Sequence, residues 1–290
     1  MGILFGLLTA LTWGSSDFLT RFATQRIGTL RAMLYMQLFG FLFLTIFLFF
    51  SGDWGHLADG SGWQPWAWGL LAGGLNALSN LALYRSFEIG KMSVVAPVSA
   101  SYPALTLLLS WITGERLTAV RAVGIVLTLL GVAFVAGGEK PPSENDEEEK
   151  KRSGEGVGWA LCAAVCFGFL FWLLGIRIVP RVGATQTVWI IRMTSMIVAS
   201  AVIFLAKQPI KLPRDISFWL VMGMGVLDTS AFVFSNHGMQ MEQIAVVSVL
   251  GSLYGAVTVA LAAIFLREKV SRLQWAGIVT VFAGIILIGR

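Results

Sequence analysis

Charged residues are scarce in this chain. Of its 290 residues only 13% are Asp, Glu, Lys or Arg, whereas 56% are hydrophobic. The mean hydropathy is +0.77. A soluble globular domain usually has about 25% charged residues, so this composition excludes an ordinary soluble protein and indicates a chain that folds in the bilayer.

Histidine and cysteine are also rare, with two residues of each kind. Cys162 and Cys166 lie four positions apart, and a zinc site would need more ligands than these two thiols and His56 and His237 supply. There is no Walker-type glycine loop. We therefore expect no catalytic site, no metal and no cofactor, and we expect any work to be driven by gradients.

The net charge of +5 and the isoelectric point near 9.5 do not indicate a nucleic-acid partner. Lys and Arg are spread over the loops and form no basic stripe with interleaved aromatic residues. The positive charge instead predicts the orientation of the chain in the membrane.

Long apolar segments dominate the sequence, and each is about 20 residues long, as a transmembrane helix requires. They show no alternation of period two, which excludes barrel strands. The first segment has no basic region before it and no cleavage site after it, so we interpret it as a span and not as a signal peptide. The sequence predicts an all-α integral membrane protein with ten transmembrane helices, numbered here as segments 1 to 10: residues 3–22, 31–51, 65–86, 93–113, 120–138, 156–178, 184–206, 216–239, 244–266 and 273–289.

The chain repeats itself at a spacing of 153 residues. The stretch that begins at Thr113, TGERLTAVRAVGIVLTLLGVAFVAGG, returns from Leu266 as LREKVSRLQWAGIVTVFAGIILIGR. The alignment pairs Glu115 with Glu268, Gly124 with Gly277 and Gly131 with Gly284.

This duplication predicts three parts: a five-helix repeat over 1–138, a charged solvated linker over 139–155, and a second five-helix repeat over 156–290. Because five is odd, the second repeat enters the membrane from the opposite side. Inverted repeats of this kind enclose a cavity near the midplane and can expose it to each face in turn.

Basic residues in the loops are distributed unequally between the two faces. Fifteen follow the odd-numbered segments and five lie on the other face. The positive-inside rule therefore predicts that the linker is cytoplasmic and that both termini are outside.

Two charged residues lie near the centres of their segments, Arg192 in segment 7 and Asp228 in segment 8. Charges at that depth are expensive and indicate function. Two interpretations are open. The residues could form a structural ion pair, or Arg192 could bind a substrate carboxylate in a bidentate fork while Asp228 takes its ammonium group or a coupling proton.

A third charged residue, Asp17, lies near the cytoplasmic end of segment 1 and one turn before Arg21. We expect a local pair of these two side chains and no role in transport.

Polar residues recur at similar depth in both halves. Asparagines in segment 3 either join helices or contact substrate. Pro97 and Pro103 break segment 4 and free carbonyls near the midplane, and segment 9 has Gly251 and Gly255 in their place. The candidate substrate-binding polar residues outside the Arg192 and Asp228 pair are Asn76, Asn80, Ser99, Tyr102, Ser252 and Tyr254.

Trp13 and Phe167 occupy matching positions of segments 1 and 6 and are candidates for an apolar wall of the site. The alternative is that they face lipid or pack in the core. Glycines repeat every seven residues in segments 5 and 10 and indicate close helix packing, either within the fold or in a homodimer.

Several motifs together resemble the EamA family of the drug/metabolite transporter superfamily. They are the two repeat ends TGERLT and LREKVS, the following GIVLTLLG and GIVTVFAG, LTWGSSDF in segment 1 and APVSASYPALTLLLSWITGE in segment 4. The resemblance covers nearly the whole chain. It implies a secondary carrier, often an exporter of amino acids or other metabolites. Related small multidrug resistance proteins exchange protons for cations at a buried glutamate of their first span, where this chain has Asp17 nearer the helix end.

The hypothesis from sequence is a multi-pass transporter of the cell (inner) membrane that works by alternating access. Its expected partners are membrane lipid and a small solute, with a homodimer as an open alternative. An exported amino acid or similar zwitterion is the first candidate solute. The other hypotheses are a drug or cation exporter, which would need an aromatic box lined by carboxylates, and a non-transporting scaffold or lipid-handling protein.

Overall fold

The computed structural model describes residues 1–114, 118–137, 147–241, 244–267 and 270–288, and every long element in these ranges is a helix. Thirteen α-helices are numbered in chain order. They are α1 (Gly2–Ile27), α2 (Thr29–Ser51), α3 (Gln64–Ile89), α4 (Met92–Ser99), α5 (Tyr102–Ile112), α6 (Ala119–Gly137), α7 (Glu147–Leu173), α8 (Val179–Val182), α9 (Ala184–Leu205), α10 (Ile216–Met241), α11 (Ile244–Ser252), α12 (Tyr254–Leu261) and α13 (Arg272–Ile288).

Short helical turns of other types join some of these helices. A 3₁₀ turn, Gly55–Leu57, lies between α2 and α3. Leu174–Ile178 and Ala262–Leu266 are wide π-turns that extend α7 and α12. Pro180 follows the first of them, and its ring and missing N–H disturb the regular ladder of hydrogen bonds there.

All ten predicted segments contain helix in the structure. Among the described residues, seven helical stretches are long and apolar enough to cross a membrane, and α3, α6 and α13 are not among them. The part of the chain that the structure describes is thus all-helical with multiple apolar helices, and the number of ten spans stays a prediction.

Helix α7 begins at Glu147, inside the predicted linker and nine residues before the predicted start of segment 6. The solvated linker over 139–155 stays a prediction. Glu and Lys are good helix formers, and the run continues directly into an apolar helix that extends it. Residues 139–146 of the predicted linker lie outside the described part of the chain.

Contacts between the two halves occur in equivalent pairs. The first helix of the first half, α1, packs on the third helix of the second half, α10. Equivalently, the third helix of the first half, α3, packs on the first helix of the second half, α7. Helices with the same place in each half also meet, α2 with α9 and α6 with α13, while the parts of the two broken helices exchange, so that α4 packs on α12 and α5 on α11. An arrangement in which i contacts j and j contacts i is what a two-fold relation produces.

Two equivalent turns show how the halves are related. Gly28 joins α1 to α2 with φ 81° and ψ 157°, and Gly183 joins α8 to α9 with φ 99° and ψ 154°. Gly183 lies beside the far end of α2, because Gln186 Nε2 donates a hydrogen bond of 2.9 Å to the carbonyl of Asp53. The two turns are therefore separated by the length of α2, about 34 Å at 1.5 Å per residue.

The glycine stripes of segments 5 and 10 face each other within the fold. A Cβ atom on Gly131 would lie 2.6 Å from the backbone nitrogen of Val281 and 2.8 Å from the carbonyl oxygen of Gly277. A Cβ atom on Gly284 would lie 2.6 Å from the carbonyl oxygen of Gly124. The glycines thus allow α6 and α13 to pack backbone against backbone, and a homodimer would have to use another surface.

The outer surface is apolar and the interior is partly polar. Large side chains such as Phe49, Phe50 and Ile46 are exposed, Phe50 by 82%. Gln37, Asn76 and Arg192 are completely buried. This reversal of the pattern in soluble proteins is what a lipid environment requires.

Candidate functional site

Two broken helices meet in the middle of the protein. The break between α4 and α5 lies at Ala100 and Ser101, with Pro103 in the first turn of α5. The break between α11 and α12 lies at Leu253. Gly255 allows the close approach of α12 to α4, since a Cβ atom there would lie 2.8 Å from the Cβ of Ala100.

Two tyrosines connect the broken helices reciprocally. Tyr102, at the start of α5, donates a hydrogen bond of 3.2 Å to the carbonyl of Ser248 in α11. Tyr254, at the start of α12, donates one of 3.2 Å to Ser99 Oγ in α4. Each half thus holds the interrupted helix of the other half.

A cavity lies beside these breaks, between helices of both halves. It contains about 340 Å³ of empty space, but the centre of a water molecule fits in only about 20 Å³ of it. The site is thus narrow in this conformation. The lining residues are Trp13, Asp17, Asn80, Leu83, Tyr102, Phe167, Phe171, Asp228, Phe232 and Tyr254.

Six of the ten residues proposed from sequence line this cavity. They come from both halves of the chain and from six different helices: Trp13, Asn80, Tyr102, Phe167, Asp228 and Tyr254. The other four are buried nearby but are not part of the lining: Asn76, Ser99, Arg192 and Ser252.

Arg192 lies behind the cavity wall and is fully buried. Its guanidinium group donates to the carboxylate of Asp228 and, over 3.0 Å, to Gln37 Oε1. It also lies 5.4 Å from the centre of the Phe232 ring. Arg192 and Asp228 therefore meet, as the sequence indicated, and in this conformation the guanidinium group binds Asp228 where the carrier hypothesis expected a substrate carboxylate.

The three remaining candidates bind other parts of the protein. Asn76 Nδ2 donates a hydrogen bond of 3.2 Å to Ser195 Oγ and so joins α3 to α9. Ser99 Oγ donates to the carbonyl of Ala96 at 3.0 Å and Ser252 Oγ to that of Val249 at 2.8 Å, each within its own helix. These contacts support a packing role for the three side chains in this conformation.

Asp17 is where the structure differs most from the prediction. The Asp17 side chain lines the cavity, and the residue as a whole is 5% exposed. The expected partner, Arg21, instead donates hydrogen bonds to the carbonyls of Phe87 and Gly90 at the end of α3. Helix α1 continues to Ile27, five residues past the predicted end, so Asp17 lies deeper than a helix ending at residue 22 would place it.

Four lining residues were not predicted from the sequence, and each lies one helical turn from a residue that was predicted. Asp17 follows Trp13 by four residues, Phe171 follows Phe167 by four and Phe232 follows Asp228 by four, while Leu83 follows Asn80 by three. Residues at these spacings share a helix face. Extending each candidate by one turn would have found them.

The aromatic lining residues form one continuous cluster. The ring centre of Trp13 lies 5.5 Å from Phe171, 5.4 Å from Phe232 and 6.0 Å from Tyr254. Tyr102 stacks on Phe171 at 4.8 Å. These distances are typical of favourable edge-to-face and stacked contacts, so the rings support one another as a wall.

The chemistry of the cavity is that of an anionic aromatic site. Two carboxylates and six aromatic rings line it. Within the described part of the chain, no three His, Cys, Asp or Glu side chains come together in a metal-binding group. The paired glutamates of the repeat, Glu115 and Glu268, lie outside the described residues.

Comparison with known proteins agrees with this geometry. The model of a family described as EamA-like transporters matches residues 1–137 and 154–290. A crystal structure whose title names no activity superposes with a TM-score of 0.71 at 17% sequence identity, over 99% of this chain and 95% of its own. At that identity the likeness shows the fold alone. No curated protein matches the chain.

Proposed function

Because the chain belongs to the EamA-like transporter family, which lies in the drug/metabolite transporter superfamily, we propose that it is a secondary carrier for a small solute with an amino group. The observation that carries this proposal is the buried cavity between the halves, with Asp17 and Asp228 in its wall. Buried carboxylates in a membrane protein need a cationic partner, and a solute ammonium group supplies one.

The proposed mechanism is alternating access by two inverted five-helix repeats, with ten spans and the linker in the cytoplasm. The separation of the two equivalent glycine turns by the length of α2 supports the inversion. The narrow cavity supports an occluded state, from which rocking one repeat against the other opens either side. The excess of basic residues on one face supports this orientation of the linker, and the cell (inner) membrane is the proposed location.

The solute that the sequence predicts first is an amino acid. Its ammonium group would bind between Asp17 and Asp228, and its side chain would lie against the wall formed by Trp13 and Phe171. Its carboxylate group would need a donor, and Asn80 Nδ2, which is buried without a hydrogen-bond partner among the described residues, is one. Export as the direction rests on the family resemblance alone.

A cation without a carboxylate is the second candidate, and the composition of the wall favours it. Such a solute requires an aromatic box lined by carboxylates, and the cavity has this composition.

Counterflow in proteoliposomes tests the carrier function. Vesicles loaded with an unlabelled mixture of amino acids and amines are diluted into labelled solute, and a carrier gives transient, saturable uptake. We expect Asp17→Asn to abolish this uptake and Asp215→Asn, at an exposed loop residue, to leave it unchanged. A scaffold or lipid-handling protein would give no saturable uptake of any solute in the mixture.

A further inference from the structure

We infer that the central cavity is a site for organic monocations, such as primary or quaternary amines, and that it discriminates against the amino acids that carry the same side chain. This inference rests on the proposed carrier function and specifies its substrate class. Nothing in the fold alone requires it, because it follows from the charges and rings that line this particular cavity.

The first step is the balance of charge. Among the described residues, Asp17, Asp228 and Arg192 are the acidic and basic side chains at the cavity and directly behind it, and Arg192 is paired with Asp228. When both carboxylates are ionised, one negative charge is left. A monocation neutralises it. A zwitterion leaves the buried charge unbalanced and adds a carboxylate beside it, which is unfavourable where water is excluded.

The second step is the unused carboxylate. Asp17 is buried, with only 5% of the residue exposed. Among the described residues no hydrogen bond or ion pair reaches its carboxylate, which lines the cavity. A carboxylate in this position can form an ion pair with a ligand cation.

The third step is the position of Arg192. A carboxylate ligand would be bound best by its guanidinium group, but that group is behind the wall and is held by Asp228 and Gln37. Asp228 and Phe232 separate it from the cavity. Arg192 therefore acts as a positioning residue that holds Asp228 in the wall, and it offers no cationic surface to a ligand.

The fourth step is the aromatic wall. Aromatic faces attract ammonium groups, most strongly where the site is dry. Phe232 already binds one cation in this way, because the Arg192 guanidinium carbon lies 5.4 Å from the centre of its ring. Trp13 lies next to Phe232 and belongs to the same helix face as Asp17, so a ligand cation can contact a carboxylate and an indole together.

A matched ligand series tests the inference. Phenethylamine, phenylalanine and 3-phenylpropionate share a phenyl group and carry a cation, a zwitterion and an anion. Binding to the full-length protein in detergent is measured by isothermal titration calorimetry at neutral pH. We expect phenethylamine to bind about tenfold or more tightly than phenylalanine, the factor that a desolvated cation–π contact and an unopposed carboxylate can supply. Binding of 3-phenylpropionate should not be detectable.

Two variants make the test specific. Asp17→Asn is nearly isosteric and should reduce phenethylamine binding by about tenfold or more while abolishing the preference over phenylalanine. Asp215→Asn removes a carboxylate on the exposed surface and should change neither value. Benzyltrimethylammonium, whose charge is independent of pH, should show the same dependence on Asp17.

Several results would overturn the inference. They are equal or tighter binding of phenylalanine, equal effects of the two variants, and no binding of either amine to the folded protein. Failure of the carrier function has a different signature. In that case the amines bind as expected while counterflow shows no saturable uptake.

Discussion

At the scale of single residues, the ion pair between Arg192 and Asp228 dominates the interior. Removal of Arg192 would leave Asp228 buried without its partner, which typically costs about 3–5 kcal/mol. We predict that Arg192→Ala lowers the thermal unfolding temperature in detergent far more than Arg26→Ala. Arg26 is half exposed and lies 4.0 Å from Asp215, and surface pairs of this kind contribute about 0–1 kcal/mol.

The double variant completes this measurement. Replacing both Arg192 and Asp228 by Ala removes the two buried charges together, so its unfolding temperature should be higher than that of Arg192→Ala alone. Equal unfolding temperatures for Arg192→Ala and Arg26→Ala would contradict the importance of the buried pair.

The residue scale is also where sequence analysis was most limited. It identified Arg192 and Asp228 because a charge inside an apolar segment is conspicuous in the sequence. It did not identify Phe171 and Phe232, because the chain has 20 phenylalanines and a phenylalanine facing a cavity has the same neighbours in sequence as one facing lipid. Only the packing of helices from both halves separates the two cases.

At the scale of helices, the two breaks depend on the reciprocal tyrosines. Loss of either hydroxyl removes one buried hydrogen bond across the halves, so Tyr102→Phe and Tyr254→Phe should each lower stability by about 0.5–1.5 kcal/mol. Tyr35→Phe is the matched control, because the Tyr35 hydroxyl is buried and has no partner among the described residues. Its removal should be neutral or stabilising. Thermal unfolding of the three variants measures this, and a larger loss for Tyr35→Phe would refute the assignment.

Glycine packing between α6 and α13 gives a second prediction at this scale. Gly131→Ala would place a methyl group 2.6 Å from a backbone nitrogen of α13, and the helices would have to separate at a cost of about 1–3 kcal/mol. Gly74→Ala in α3 meets no atom within 4 Å and should be neutral or slightly stabilising. The unfolding temperatures of the two variants decide the matter. If both alanines are tolerated equally, the stripe is not a packing surface.

Helix positions could be predicted from the sequence, since long apolar runs leave little freedom, but the break in the second half could not. Pro97 and Pro103 indicate a break in segment 4 directly. The break at Leu253 has no proline, and it arises where α12 approaches α4 at Gly255, a tertiary contact without a local signal. The start of α7 within the charged run was missed for a related reason, since composition alone does not reveal that an adjoining helix extends into it.

At the scale of the whole molecule, the duplication places a cavity between the two halves, but the residues that line this cavity are not equivalent in the two repeats. Equivalent helices exchange roles across the halves, which places residues of both repeats around one central space. The lining is not symmetric, because Asp17 in α1 and Asp228 in α10 are neighbours across the interface and not equivalent positions of the repeats. The sequence could reveal the repeat, but it could not reveal which helix of one half packs on which helix of the other.

Inversion of the repeats makes a prediction about the membrane. Arg26 and Arg181 are exposed residues that precede the equivalent turns Gly28 and Gly183 by two positions. If the repeats are inverted, the two turns lie on opposite faces of the membrane. Single cysteines are introduced at these positions after both native cysteines, Cys162 and Cys166, have been replaced by Ala. The cysteine of Arg26→Cys should then react with an impermeant maleimide only from the cytoplasmic side, and that of Arg181→Cys only from outside. Labelling of both cysteines from one side would mean that the repeats are parallel, and a pocket shared by inverted halves would no longer explain transport.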